Sequence, residues 1–185
     1  VKINGIPITD FGDLNMLSFH ATKLFHSIEG GALLFKEGSL KTRFNYLKNF
    51  GFKNELEVVM PGTNAKMNEF QALMGFHLLD HMSEIIQKRE QIEGIYRSRL
   101  ENISGIVFCK ELPDHIDYNH AYLPVQVIEN EFGLDRDGLY SKLKEFNVFT
   151  RRYFYPLIPD YSCYKHVAIN APLKNAEKVS NQILT

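Results

Sequence analysis

The sequence predicts a two-lobed α/β protein. Three observations carry this: turn-punctuated apolar runs over residues 1–36, a helical period sustained from Asn68 to Leu100, and a strand, helix, strand order between Tyr122 and Tyr155. In the opening stretch Gly5, Pro7 and Gly12 break the chain, Asn15 to Phe19 is a short apolar run, and Gly30-Gly31 precede a buried-type strand over Ala32 to Phe35. Leu40, Phe44 and Leu47 then recur at helical spacing between Ser39 and Lys48. Gly51 follows, a residue that takes the left-handed conformation past a helix end at little cost. Pro61-Gly62 interrupt the chain again before Asn68, an N-cap type, opens the longest periodic stretch, with breaks expected near Gly75 and Gly94. A helix of that length bends or bridges two lobes, so the domain boundary is placed near residue 85, giving 1–85 and 86–185. Beyond it, Tyr122 to Ile128 reads as a strand. Leu134-Asp135 reads as a staple and cap for a helix with Leu139, Leu143 and Phe146 on one face, and Val148 to Tyr155 reads as a returning strand.

Composition narrows the function classes. The 185 residues are 44% hydrophobic and 23% charged, the profile of an ordinary soluble globular chain. With 21 basic against 22 acidic residues there is no concentrated positive surface, which argues against nucleic acid as a partner. Cys109 and Cys163 lie outside any CxxC arrangement, so neither a disulfide framework nor a structural zinc site is indicated, and a cytoplasmic location fits. No apolar run reaches the roughly 18 to 20 residues of a membrane span, and the N-terminal residues lack a signal-peptide layout. A first residue of Val1 suggests a fragment or a processed chain.

The chemistry-bearing segment is Ser18-Phe19-His20-Ala21-Thr22-Lys23, followed by Glu29-Gly30-Gly31. Downstream stand Gly62-Thr63-Asn64-Ala65-Lys66-Met67-Asn68-Glu69-Phe70-Gln71-Ala72 and Arg151-Arg152-Tyr153-Phe154-Tyr155-Pro156-Leu157. Read as residues alone, Lys23 is a surface lysine or a nucleophilic amine, and Ser18 is a turn serine or a phosphate donor. Asn64 is turn chemistry or a ligand-reaching amide, and His20 lines a pocket or packs in a core. His77 and His81 have i, i+4 spacing but no HExxH glutamate or third ligand, so no metal is assigned.

Together, and in this order, the three segments closely resemble the DegT/DnrJ/EryC1/StrS sugar aminotransferases, pyridoxal-phosphate enzymes of the type I aminotransferase fold. The resemblance implies that Lys23 condenses with the aldehyde of pyridoxal 5'-phosphate and moves the proton during transamination. An ordinary lysine is protonated near neutrality, so an enclosed pocket that lowers its pKa is expected around it. Ser18 would bind the cofactor phosphate, His20 would line the cofactor pocket, and Asn64 would reach the phosphate of a neighbouring subunit, making a homodimer obligatory. Lys66 stands where many relatives carry arginine, and Glu29, Gly30 and Gly31 read as backbone geometry. Arg151, Tyr153 and Tyr155 would bind the nucleotide diphosphate or sugar. On a strand these three share a face and Arg152 points the other way, leaving at least one arginine solvated.

Upstream parts of the family pattern are absent, among them the aspartate that keeps the pyridine ring protonated. The fold implied is therefore the C-terminal part of the type I fold, the end of the large domain plus a truncated small α/β domain, inactive alone. The parent activity implied is transfer of an amino group from L-glutamate to a nucleotide-linked keto-deoxysugar in bacterial surface-polysaccharide synthesis, with dTDP-4-keto-6-deoxyglucose favoured. A dTDP-3-keto-6-deoxyhexose substrate and a non-catalytic interaction module are the alternatives.

Overall fold

A computed structural model describes residues 1–110, 112–167 and 171–185. The chain divides into two compact units, residues 1–87 with 113–121, and residues 88–112 with 122–185.

In the first unit β1 (Lys2–Ile3) pairs antiparallel with β2 (Ile6–Pro7) and with β6 (Ile116–Asp117). β3 (Leu14–Ser18) and β4 (Gly31–Phe35) form an antiparallel pair whose register closes on Ser18 opposite Gly31. The run at Ala32 to Phe35 is a strand as expected but is not buried: Leu33, Leu34 and Met16 are exposed. Leu33 and its partner Met16 share one face and Leu34 lies on the other, so this chain leaves apolar side chains uncovered on both faces of the pair.

α1 (Leu40–Leu47) forms on the predicted spacing, and past its end Phe50 and Gly51 both take positive φ, 56° and 82°. Gly51 is obligatory there, because a Cβ on it would overlap the Met60 carbonyl oxygen.

α2 (Glu69–Leu100) is one continuous helix of 32 residues, so the breaks expected at Gly75 and Gly94 do not occur. A single glycine costs a helix only about 1 kcal/mol, too little to interrupt a ladder this long. Asn68 caps it as predicted: Gln71 N–H donates to Asn68 Oδ1 at 2.9 Å, and the Gln71 side chain accepts from Asn68 N–H at 3.2 Å.

The second unit contains the antiparallel sheet β5-β7-β8, made by Ile106–Phe108, Val125–Val127 and Ile183–Leu184. α3 (Glu129–Phe132), α4 (Arg136–Glu145) and α5 (Lys174–Gln182) complete it. Asp135 caps α4, accepting from Gly138 N–H at 2.7 Å, as its position before the periodic run predicts. Phe146, expected on the packed face, is the exposed C-cap residue. The small core centres on Val127 and Leu184, with Arg136 and Ser180 buried beside them.

Residues 148–155 are not a strand. Arg151 makes one reciprocal backbone pair with Thr185, at 2.8 Å in each direction, and the chain then turns through cis bonds at Tyr153-Phe154 and Tyr155-Pro156. The β-type composition of this stretch lost to local turn geometry.

Candidate active site

Lys23 lies in the loop that joins β3 to β4, and that loop is closed by several independent contacts. At its base Phe19 N–H donates to Gly30 O at 2.9 Å and Ser27 N–H to Phe19 O at 3.0 Å. The Phe19 and Phe25 rings meet edge to face at 4.8 Å between centroids. Ser27 is buried, its hydroxyl donating to Glu29 O at 2.9 Å.

Gly30 and Gly31 do what their sequence position suggests. A Cβ on Gly30 would stand 2.5 Å from Ser27 Oγ and 2.6 Å from Met67 Cε, and one on Gly31 would stand 2.8 Å from Leu17 O.

Within this loop Lys23 N–H donates to His20 O at 2.9 Å, a tight turn that sets the lysine on the outer side. His20 has both ring nitrogens turned to protein partners. Nδ1 accepts from Thr22 N–H at 3.2 Å and lies 2.8 Å from Thr22 Oγ1, which assigns the ring proton to Nε2, 3.5 Å from Glu29 Oε1. Glu29, read from sequence as backbone geometry, is therefore also a side-chain partner across the loop. No periodicity links positions 20 and 29, so sequence offered no signal for that contact.

The Lys23 side chain is exposed, and among the described residues none bonds or ion-pairs with its amine. The expectation of an enclosed lysine is thus not met by this chain, whose residues brace the loop from beneath and leave the amine uncovered. Ser18 at the end of β3 is likewise exposed with an uncommitted hydroxyl.

Asn64 is placed by docking of its segment on the end of α1. Thr63 N–H donates to Leu47 O at 2.8 Å, Ala65 N–H to Lys48 O at 2.9 Å, and Asn64 forms a bridge opposite Asn49. Gly62 makes this possible, since a Cβ there would overlap the Gly51 backbone nitrogen. The Asn64 side-chain amide is exposed and without a partner among the described residues. Lys66 instead donates to Asn49 Oδ1 at 3.0 Å and lies 4.5 Å above the Phe50 ring, a contact that braces the turn. Ser18 and the two neighbours of Asn64, Thr63 and Ala65, line one open groove of about 1240 Å³. The structure thus brings Ser18 and the Asn64 segment to a common groove; Lys23 is not part of its lining.

An aldehyde-bearing phosphate cofactor requires a free amine and uncharged donors for a dianion, and Lys23, Ser18 and Asn64 are residues of those types, with none engaged elsewhere among the described residues. The residues present fit the group.

In the second unit one of the two arginines is held and the other is solvated. Arg152 Nη1 bonds Asp137 Oδ1 at 2.9 Å, and its guanidinium lies over the Tyr140 ring at 4.5 Å. The Arg151 side chain is exposed and without a partner among the described residues. Tyr153 stacks on Phe154 at 4.6 Å and meets Tyr122 edge to face at 5.6 Å. The Tyr155 ring lies 4.7 Å from the Arg136 guanidinium, and its hydroxyl is free among the described residues.

Burial opposes ionisation of Asp137, but the hydrogen bonds and charges of Arg136 and Arg152 outweigh it and hold the carboxyl below its usual range. His77 stands edge to face with Phe76 at 5.9 Å, and His81 Nδ1 lies 3.9 Å from Glu84. Among the described residues no three metal-ligating side chains converge, and no helix is long and apolar enough to cross a membrane.

Comparison with known proteins places the chain in a family. The family model of the DegT/DnrJ/EryC1/StrS aminotransferases matches residues 1–185. A dTDP-4-amino-4,6-dideoxy-D-glucose transaminase of Shigella dysenteriae is 39% identical over 173 residues, 94% of this chain and 47% of that protein. The Escherichia coli transaminase of the same name is 37% identical over 163 residues, 85% of this chain and 43% of that protein. Among solved structures, DesI in the presence of its TDP-sugar product superposes with a TM-score of 0.88 at 34% identity, covering 98% of this chain and 46% of DesI.

Fold and matches together define a part of a pyridoxal-phosphate-dependent aminotransferase fold, its C-terminal portion. The chain belongs to the DegT/DnrJ/EryC1/StrS aminotransferase family, whose cofactor is pyridoxal 5'-phosphate. It spans about half the length of the relatives it matches.

Proposed function

We propose that this chain supplies the catalytic lysine and part of the substrate site of a transaminase that moves an amino group from L-glutamate to a nucleotide-linked keto-deoxysugar. The observation that carries the reading is the uncommitted Lys23 amine at the tip of a loop closed from Phe19 to Gly30, in a chain matched along its whole length by a sugar-aminotransferase family. The two transaminases at 39% and 37% identity favour dTDP-4-keto-6-deoxyglucose as acceptor over a 3-keto isomer. Cys109 and Cys163 are free and exposed, which suits a reducing cytoplasmic location.

Pyridoxal phosphate, when bound, supplies an aldehyde for amine exchange and a ring that withdraws electrons from the reacting carbon. Lys23 Nζ is the base that takes up the migrating proton and returns it. Ser18 Oγ–H and the Asn64 amide donate to the phosphate, with Asn64 serving the site of a neighbouring copy in a homodimer. Phe70, Leu73, Phe76 and Leu79, exposed along α2, support such an assembly, because an apolar row of this extent is otherwise costly in water. His20 holds the turn that presents Lys23. Arg151, Tyr153 and Tyr155 meet the diphosphate and sugar, the guanidinium serving phosphate and the phenols serving hydroxyls.

Borohydride reduction of the cofactor-loaded holoenzyme, followed by peptide mapping, is expected to place the label on Lys23. Label on another lysine ends this assignment. The product formed from each keto-sugar isomer with glutamate, read by NMR, decides the acceptor. Absence of any cofactor attachment would leave the interaction-module reading.

A further inference from the structure

Asp137 lies outside every motif that relates this chain to its family function, yet one of its carboxylate oxygens joins two arginines of the second unit. Asp137 Oδ1 accepts from Arg136 Nε at 2.8 Å and from Arg152 Nη1 at 2.9 Å. Arg136 is 2% exposed, and its Nη1 also donates to Ser180 O at 2.6 Å and Ile183 O at 3.3 Å. Its guanidinium stands 4.7 Å from the Tyr155 ring; that of Arg152 stands 5.6 Å from the same ring and 4.5 Å from that of Tyr140. A buried guanidinium needs a counter-charge and acceptors, and Asp137 gives it both while its second contact fixes Arg152. The main chain is pinned one residue earlier by the reciprocal Arg151 and Thr185 pair.

The Arg151–Tyr155 segment is irregular, with no ladder of its own to hold it. Its conformation rests on these contacts, on the stack of Tyr153 with Phe154 and on the edge-to-face contact of Tyr153 with Tyr122. Within it Arg152 is engaged in the structure, whereas the Arg151 guanidinium and the Tyr155 hydroxyl are without a partner among the described residues.

We propose that Asp137 is a positioning residue for nucleotide-sugar binding: by joining Arg136 to Arg152 it holds the Arg151–Tyr155 segment in the form that presents Arg151 and the Tyr155 hydroxyl to the acceptor. The inference rests on the substrate role given to that segment in the proposed function.

The test is steady-state kinetics of the holoenzyme carrying Asp137→Asn, which keeps the side-chain shape and removes the charge. Loss of a charge-assisted contact is expected to raise KM for the keto-sugar roughly tenfold to hundredfold. KM for glutamate and the cofactor absorbance should stay unchanged, and Asp137→Glu should restore much of the loss. Amide hydrogen exchange should rise over 151–155 in the Asn variant and return in the Glu variant. If Asp137→Asn does not fold, Arg152→Lys, which keeps the charge and loses the fork, carries the same expectation.

Arg151→Ala and Tyr155→Phe separate the two levels. If both raise keto-sugar KM while the Asp137 and Arg152 variants leave it unchanged, the positioning role is wrong and the substrate segment stands. If neither raises it, the substrate reading of the segment fails and this inference goes with it. A fall in kcat with both KM values unchanged would also overturn it.

Discussion

Gly75 of α2 packs against Ser27 of the loop that carries Lys23: a Cβ on the glycine would stand 3.4 Å from Ser27 Cβ and 3.5 Å from Phe25 Cζ. Gly75 is the one buried position among the described residues of α2, so the helix approaches the lysine loop at its narrowest residue. These separations are ordinary van der Waals distances, so a methyl group fits and a branched side chain does not. Gly75→Ala is expected to stabilise the protein by about 0.5–1 kcal/mol through helix propensity. Gly75→Leu is expected to destabilise it by about 1–3 kcal/mol as the loop is pushed away. Urea unfolding of the two variants checks this; equal effects would mean that the loop does not rest on α2.

Gly30 and Gly62 carry a harsher steric demand. A Cβ on Gly30 would press on Ser27 Oγ and Met67 Cε, at 2.5 and 2.6 Å, and the residue's φ of 155° disfavours a side chain. One on Gly62 would meet backbone atoms of Phe50 and Leu47 at 2.7 and 2.9 Å, which cannot swing aside as a methionine end can. Gly62→Ala is therefore expected to cost more than about 2 kcal/mol, and Gly30→Ala about 1–2 kcal/mol. Denaturation midpoints order the two; a neutral Gly62→Ala would contradict the close crossing that positions Asn64.

The legibility of the sequence followed the range of the interactions. Caps and turns were readable because they are local: Asn68 and Asp135 each accept from an amide three residues on, and short-range rules describe that geometry. The Lys23 loop was readable from its motif, and its glycines from their steric meaning. Residues 148–155 misled because a stretch rich in aromatic and β-branched side chains forms a strand only where a partner strand exists, and among the described residues the sole ladder-like contact is the Arg151 and Thr185 pair. The Asp137 link was unreadable because Arg152 meets Asp137 across 15 residues and Arg136 meets Ser180 across 44, without any repeating pattern. Burial misled in the same way: β4 has a core-type composition, but what would cover it is not among the residues it contacts.

The arginine link to Asp137 gives an acid-side prediction. Its carboxyl ionises more readily in the folded chain than its ordinary value of 3.8, because the two guanidiniums outweigh burial. A group of this kind adds stability that is complete above pH 3.8 and disappears as pH falls through its lowered folded pKa. With its side chain 48% exposed, the contribution is about 1 kcal/mol or less after solvent screening. Stability of the wild type and of Asp137→Asn should therefore differ near neutrality and converge as pH drops below 3.8. A gap that stays constant with pH would assign the difference to packing instead of charge.

Tyr140 supplies the opposite end of the pH scale. Its phenol lies beside Lys144, whose ammonium is 4.2 Å from the ring, and beside the Arg152 guanidinium at 4.5 Å. The neighbouring Lys144 ammonium is the main cause that brings its pKa below 10.0, with burial opposing and the Arg152 guanidinium adding to the decrease. A phenol that ionises more readily when folded adds stability as pH rises through its folded pKa, complete above 10.0 and lost again on the way down. Among the nine tyrosines, Tyr140 should thus contribute an early phase to the rise of tyrosinate absorbance on the approach to pH 10.0. Tyr140→Phe should delete that phase, and Lys144→Met should move it upward without deleting it. Because Arg152 also faces this ring, Arg152→Lys should move the phase by less than Lys144→Met does. Coincident titration curves for the wild type and Tyr140→Phe below pH 10.0 would show that the phenol is not held by these cations in solution.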